Sequence, residues 1–487
     1  VKKLLFTIAI LALLPPVGAW GATVWVKDIG GTVYYESGAS SCDDVTAADT
    51  SGDLEAAACA AGNAGICYVC AGTYSDTELD ADSQLRLDEA NLTFQAVGTV
   101  TISTTVSTVP VLLRAAGITF KGFSVICPDA AGTNYAIFAD DDSDGYTIID
   151  NTITCAGDAT GSAWRGINAK ADGTISTNDI SGVRTGIQIE PDTGSGFVVL
   201  IQKNTIHDLD AGTDFASDGI IFANSGTPVS YSGTIVELND ISGWKDDGID
   251  LLDGADIIVR NNYVHDPSSV CTAGCDGQGI KCGSSHAASV GNIIDSNRVI
   301  NSDNHGIVSN DSDGVIVRNN IVVVTEASAT GIQFTASSEG GTAYNNTSIC
   351  TGASAKGLSV GAGASGTYTI KNNILDKGAS GTNDFDANIV TITGGYNCLV
   401  RDAAPAGSDN YTNTDSADKA QTNPLFRNAA NAATYGLKLR GGSPCINAGT
   451  SGGSIPTTDI EGKDWIGNNE MGCHRWAYVE SILSEDD

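Results

Sequence analysis

One asparagine recurs through the middle of this chain, in the context apolar-x-x-Asn-x-apolar. It stands at Asn151, Asn178, Asn204, Asn239, Asn262, Asn297, Asn320, Asn346 and Asn373, at spacings of 27, 26, 35, 23, 35, 23, 26 and 27 residues. A second column, Gly followed by Ile or Leu, interleaves with it at Gly166, Gly186, Gly219, Gly248, Gly279, Gly306, Gly331 and Gly357. The apolar runs between them are short and β-branched, as in Ile257-Ile258-Val259 and Val315-Ile316-Val317, with no helical periodicity. A period of about 20–30 residues built from short strands predicts an all-β solenoid, here of roughly ten coils.

One coil cannot bury its own inward Ile and Val. Stacked coils share parallel ladders ~4.8 Å apart and enclose a continuous core. In such a stack the asparagines meet at one inward turn and each amide bonds the next; turn propensity alone would not repeat nine times in register. Cys127 and Cys155 are 28 residues apart in one column, close enough on adjacent coils for a disulfide. Before the array, Asp53 to Asn63 reads as a helix with Asp53 as N-cap, placed to cover the first coil. The expected organisation is an export signal over 1–21, a cap and first strands over 22–95, the solenoid over 96–395, and an irregular extension over 396–487 that packs back on the last coils.

Residues 1–21 combine Lys2 and Lys3, an apolar stretch from Leu4 to Leu14, and Ala19-Trp20-Gly21. That is the pattern of a secretory signal, and the apolar run is too short to span a bilayer. A secreted protein with no membrane association is expected. Thirteen cysteines suit an oxidising compartment. Cys67-x-x-Cys70 reads as part of a disulfide framework rather than half a metal site, and Cys445 with Cys473 as a tie for the C-terminus. With 25 Lys plus Arg against 58 Asp plus Glu, the formal charge is −33. Nucleic acid is excluded as a partner for want of a basic footprint. An acidic ligand would need positive charge recruited locally, and a bound cation supplies it.

Aligning the coils on their Gly-Ile pairs locates a candidate site. Asp218 and Asp247 both precede the glycine, one coil apart, and Asp246 adjoins Asp247. Side chains alternate along a strand, so Asp250 points away from the core between Ile249 and Leu251, and Lys281 does the same between Ile280 and Cys282. Four carboxylates and one lysine thus converge. Carboxylates so crowded repel one another, and a hard cation with oxygen ligands relieves them; calcium suits an exported protein. Asp-Gly as plain turn chemistry is the alternative, as expected for Asp253-Gly254, Asp276-Gly277 and Asp313-Gly314. Lys281 is either a solubilising surface residue or, with its pKa lowered by a nearby divalent ion, a base for the α-proton of a uronate.

The stretch Ala71-Gly-Thr-Tyr74 after the helix, the Asn and Gly-Ile coils, and Gly442-Ser-Pro-Cys-Ile-Asn-Ala-Gly449 resemble exported right-handed parallel β-helix proteins of the pectate-lyase-like superfamily. Lys245-Asp-Asp-Gly-Ile-Asp-Leu251, followed by Gly277-Gln-Gly-Ile-Lys-Cys-Gly283, is similar to the core of family 9 polysaccharide lyases. That resemblance implies calcium held by Asp246, Asp247, Asp250 and Asp218, with Lys281 as the proton-abstracting base. It also implies an acidic polysaccharide, foremost pectate, as partner and β-elimination as the reaction. Cys271-x-x-x-Cys275 in the connecting loop departs from the pattern.

Asp303 and His305, one coil beyond Lys281, are candidates for a sugar subsite or plain turn residues. Asp140, Asp142 and Asp144 resemble the start of a calcium loop, but Asn151 stands where an EF-hand needs an acid. Arg260, Arg298 and Arg318 fall near the asparagine strand, on another face. The leading expectation is a secreted, monomeric, calcium-dependent polysaccharide lyase. The runner-up is a non-catalytic, glycan-binding surface β-helix with a structural calcium. A glycoside hydrolase on the same fold would need an acid–base carboxylate pair and lacks the family's Gly-His-Gly.

Overall fold

A computed structural model describes residues 21–472 except 81, 106–108, 129–132, 156–162, 192–195, 210–216, 224–228, 269–275, 284–288, 336–337, 362–363, 388–390, 403–410, 414–417, 427–436, 442, 452–454 and 465–470. The expected export signal before Gly21 and the cysteines Cys271, Cys275 and Cys473 lie outside the described residues.

The Gly-Ile column forms a twelve-stranded parallel sheet in which each strand bonds the one a coil away. Its inward residues Ile187, Ile220, Ile249, Ile280, Ile332, Leu358 and Phe385 have no exposed surface. The rest of each coil builds a second, larger sheet, and the two sheets enclose one continuous apolar core. The glycine of each Gly-Ile pair sits where the chain turns inward. A Cβ on Gly248 would lie 2.3 Å from Val264 Cγ1 and 2.6 Å from the Gly279 carbonyl, so no side chain fits.

Within the larger sheet each coil bends between two strands, as between Ile258–Arg260 and Tyr263–His265. The ladder asparagine occupies this corner. Asn262 Oδ1 accepts from the Asn239 backbone N–H and side-chain amide at 3.0 and 2.9 Å, while Asn262 Nδ2 donates to Asn297 Oδ1 at 3.0 Å and to the Val236 carbonyl at 2.9 Å. The same bonds repeat from Asn151 to Asn373 and continue to Asn397, one coil beyond the expected column. The residue before each asparagine is left-handed: Asp150, Thr177, Lys203, Leu238, Asn261, Ser296, Asn319, Asn345, Asn372 and Tyr396 all have φ between 53° and 60°. The ladder bonds offset the cost of that conformation, about 1 kcal/mol or more for a residue such as Leu238.

The N-terminal helix spans Leu54–Ala61, and Asp53 caps it by accepting from the Ala56 N–H at 2.7 Å. Leu54, Ala57, Ala58 and Ala61 enter the same core as the coils. Disulfides join Cys127 to Cys155 and Cys42 to Cys70, leaving Cys67 a buried thiol. After Leu399 the chain is mostly irregular. Leu437 and Ile460 pack on Ile300 and Ile321 of the larger sheet, and Asn372 bonds Thr450. Cys445 Sγ lies 2.8 Å from Cys398 Sγ. No helix among the described residues is long and apolar enough to cross a membrane.

Candidate metal and acid–base site

The aspartates and Lys281 lie on three neighbouring strands of the twelve-stranded sheet, Asp218–Phe222, Asp247–Leu251 and Gln278–Cys282. The parallel register sets Ile221 opposite Asp250 and Asp250 opposite Lys281. The turn entering the middle strand is pinned to the coil before it: the Lys245 and Asp246 N–H groups donate to the Ser217 carbonyl at 3.2 and 3.0 Å, and Lys245 N–H also donates to Ser217 Oγ at 2.8 Å. This brings Asp218 against Asp246 and Asp247, so that one carboxylate oxygen from each of the three lies within 4.8 Å of the other two.

Lys281 Nζ faces the acids, 3.2 Å from Asp247 Oδ2 and 3.8 Å from Asp250 Oδ2. Its shortest contact, 2.8 Å, is with Asp276 Oδ2. Asp276 was expected only to turn the chain. It does so, preceding Gly277 at φ +68°, and its side chain also completes the lysine's shell. Alternation along the strand gives Asp250 and Lys281 their common side, and that side is closed off: Asp250 is 3% exposed, Asp247 0% and Lys281 8%, so Lys281 is not a solubilising surface residue.

Burial dominates the electrostatics. It pushes the carboxyls of Asp218 and Asp247 well above the ordinary range, and their acidic neighbours add to the shift. Asp250 rises to about 7, burial outweighing the relief from Lys281, and Asp246 is raised by burial as well. Burial alone would lower Lys281, yet Asp250, Asp247 and Asp276 together outweigh it and hold the ammonium above its ordinary value. Without a cation, then, Lys281 is more firmly protonated, not less. Five carboxyls crowd one ammonium, and burial with mutual repulsion favours protons on them unless a cation takes the protons' place. Asp218 Oδ1 and Asp250 Oδ1 are buried without a hydrogen-bond partner. An all-oxygen donor set with orphaned, desolvated acceptors fits a hard divalent cation. Asp218, Asp246 and Asp247 are the three side chains that could hold one, and Lys281 reaches this group directly through Asp247, with Asp250 beside it.

The other sequence candidates fare differently. His305 opens the next strand, His305–Ser309, and its Nδ1 accepts from the Thr330 N–H at 2.9 Å. Burial lowers it to about 4, so its ring is neutral. Asp303 is half-buried and raised by that burial, and packs close to Gly277. Asp140 pairs with Arg114 at 3.7 Å and accepts from the Asp141 N–H, and no second ligand cluster forms among the described residues. Arg260, Arg298 and Arg318 belong to the larger sheet, away from the aspartates. Arg184, unremarked in the sequence, stands close enough to offset a little of the rise that burial imposes on the Asp246 carboxyl. Its only signal was a place just before a Gly-Ile strand.

A family model described as a right handed beta helix region matches residues 185–375, the stretch that carries this site. None of the curated proteins compared matches the chain. Among solved structures it is similar to the pectate lyase Pel9A, at 14% identity over 87% of this chain and 91% of that one, with a TM-score of 0.47. It is also similar to the Dettilon tailspike protein (17% identity, 63% of this chain, 61% of that chain, TM-score 0.43). A third is the A-module of the Azotobacter vinelandii mannuronan C-5 epimerase AlgE4 (14%, 70%, 90%, TM-score 0.37). The chain thus spans under two thirds of the tailspike's length. Likenesses this distant carry no activity across, and the proteins named differ in what they do.

Proposed function

We propose that this chain is a secreted, calcium-dependent lyase that cleaves an acidic polysaccharide, foremost pectate, by β-elimination, with Lys281 as the base. The observation that carries the reading is the placement of Lys281 Nζ among Asp247, Asp250 and Asp276 beside the Asp218–Asp246–Asp247 cluster. Calcium held by Asp218, Asp246, Asp247 and Asp250 would neutralise the uronate carboxylate and stabilise the charge that develops when the α-proton leaves. Carboxylates that share their charge with a cation hold an ammonium less firmly, which allows Lys281 to release its proton and act. Neutral Lys281 then takes the proton from the carbon bearing the uronate carboxylate. The electron pair left behind forms the new double bond, and the C4–O bond breaks to leave an unsaturated sugar.

The triple clamp on Lys281 favours one other reading, a non-catalytic glycan-binding β-helix whose calcium is structural. The two separate on ultraviolet absorbance of unsaturated product from polygalacturonate. The lyase reading expects product that chelator abolishes and that Lys281→Ala lowers by about 10²–10⁴-fold. It also expects calcium to raise the melting temperature of Lys281→Ala as in the native chain, and to lose that effect in Asp247→Asn. Undiminished product from Lys281→Ala would remove the assigned base. Stabilisation by calcium without product from any uronate polymer would leave the binding protein.

A further inference from the structure

The outer face of the twelve-stranded sheet continues towards the N-terminus beyond the aspartates, and its chemistry changes there. Tyr135 and Phe138, on the strand Thr133–Ala139, stack with ring centroids 5.1 Å apart and planes 22° apart, both partly exposed. Arg165 on the next coil sets its guanidinium 5.2 Å over the Tyr135 ring and donates from Nη1 to the Tyr135 hydroxyl at 3.0 Å. Lys170 Nζ lies 5.7 Å from the Phe138 ring centre. In a chain with 25 basic against 58 acidic residues, two cations framing an aromatic pair stand out from the background.

The register ties this patch to the acid cluster. Phe138 pairs with Asn168, Asn168 with Gln188, Gln188 with Ile221, Ile221 with Asp250 and Asp250 with Lys281. That single row, five coil steps long, spans about 24 Å at ~4.8 Å per step. Beside Phe138, Asn168 has no exposed surface, and neither its Oδ1 nor its Nδ2 has a hydrogen-bond partner. Asn168 therefore lies beneath the patch, and the surface offered there is that of Tyr135, Phe138, Arg165 and Lys170.

We propose that Tyr135, Phe138, Arg165 and Lys170 form a distal subsite for an acidic polysaccharide, which holds sugar rings several units along the chain from Lys281. Aromatic faces cover the apolar face of a pyranose ring, and the two cations answer its carboxylates. The ligand class rests on the acidic-polysaccharide reading above, but the subsite requires neither calcium nor catalysis.

The test is native electrophoresis of the full chain through gels containing polygalacturonate, with chelator present so that the aspartates hold no ion. The native protein and Asp247→Asn are expected to be retarded, and neither is expected to be retarded by a neutral glucan. Tyr135→Ala with Phe138→Ala should weaken the retardation roughly tenfold. Phe138→Leu, which keeps an apolar cover over the strand, guards against a folding defect and should weaken it in the same direction. Arg165→Gln keeps both rings and should lose the preference for polygalacturonate over its methyl ester. Unchanged retardation of the ring variants with a native circular dichroism spectrum would overturn the subsite, as would equal retardation by the neutral glucan. If retardation depends on the rings and no unsaturated product ever forms, the subsite stands and the catalytic reading falls. If product forms and the ring variants bind as the native chain does, the reverse holds.

Discussion

Lys281 stands in a pocket whose charge it cannot balance alone: Asp247, Asp250 and Asp276 all reach it, and two further aspartates lie behind them. A single residue elsewhere shows how such pairings set pH dependence. His265 Nε2 and Nδ1 contact Asp240 and Asp266 at 2.8 and 3.0 Å. Burial pulls its pKa down, but the two carboxylates outweigh burial and raise it above the ordinary 6.5. A proton held more tightly in the folded than the unfolded chain stabilises fully below the unfolded value and is lost as pH rises through the folded one. His265→Gln should therefore melt below the native chain by most at pH under about 6.5, with the deficit shrinking above it. Thermal melts of both proteins across pH test this, and a deficit independent of pH would show that the ion pairs contribute nothing. The Asp240 pairing was invisible in the sequence because Asp240 lies 25 residues from His265 and meets it only by winding.

The coil corner is the element on which the winding depends. Asn297 has no exposed surface, accepts twice from Asn262 at 3.0 Å and donates to Asn320 Oδ1 at 3.1 Å and the Val259 carbonyl at 2.9 Å. Asn297→Ala would orphan the Asn262 backbone and side-chain donors on the preceding coil and take a donor from the Val259 carbonyl, while Asn320 Oδ1 keeps the backbone N–H of residue 297. It should cost about 2 kcal/mol or more, read as a lower denaturation midpoint. Asn297→Gln, one methylene longer in a closed corner, should not restore it. This column was legible in the sequence because a ladder needs one side chain repeated without substitution. The left-handed residue before it was not: Thr177, Lys203, Leu238 and Tyr396 share a backbone angle and no chemistry. The glycines were legible for the opposite reason, since a Cβ on Gly248 or Gly279 would meet the neighbouring coil's carbonyl within 2.7 Å.

Across the whole molecule, a formal charge of −33 sits on a narrow stack of coils. Repulsion between like charges opposes compaction, and salt screens it over about 8–10 Å at ordinary ionic strength. Raising sodium chloride with chelator present should raise the melting temperature by several degrees, and a flat or falling dependence would show that local pairings already neutralise the acidity. The C-terminal segment covers part of this surface, seating Leu437 and Ile460 on the larger sheet and bringing Cys445 to Cys398. The expected pairing of Cys445 with Cys473 has therefore a competitor in Cys398, which no spacing in the sequence suggested.

Periodicity and alternation are local properties of a chain, so the solenoid, its asparagine ladder, the Cys127–Cys155 bridge and the shared side of Asp250 and Lys281 could all be read before any coordinates. Distances between coils are not local. How deeply the acids are buried, that Asp276 reaches Lys281, that His305 is committed to Thr330, and that Tyr135, Phe138 and Arg165 meet on one face depend on how loops of unequal length close each turn. A repeat prescribes which residues stack, and only the folded stack decides what water is excluded from them and which charges must share the space left.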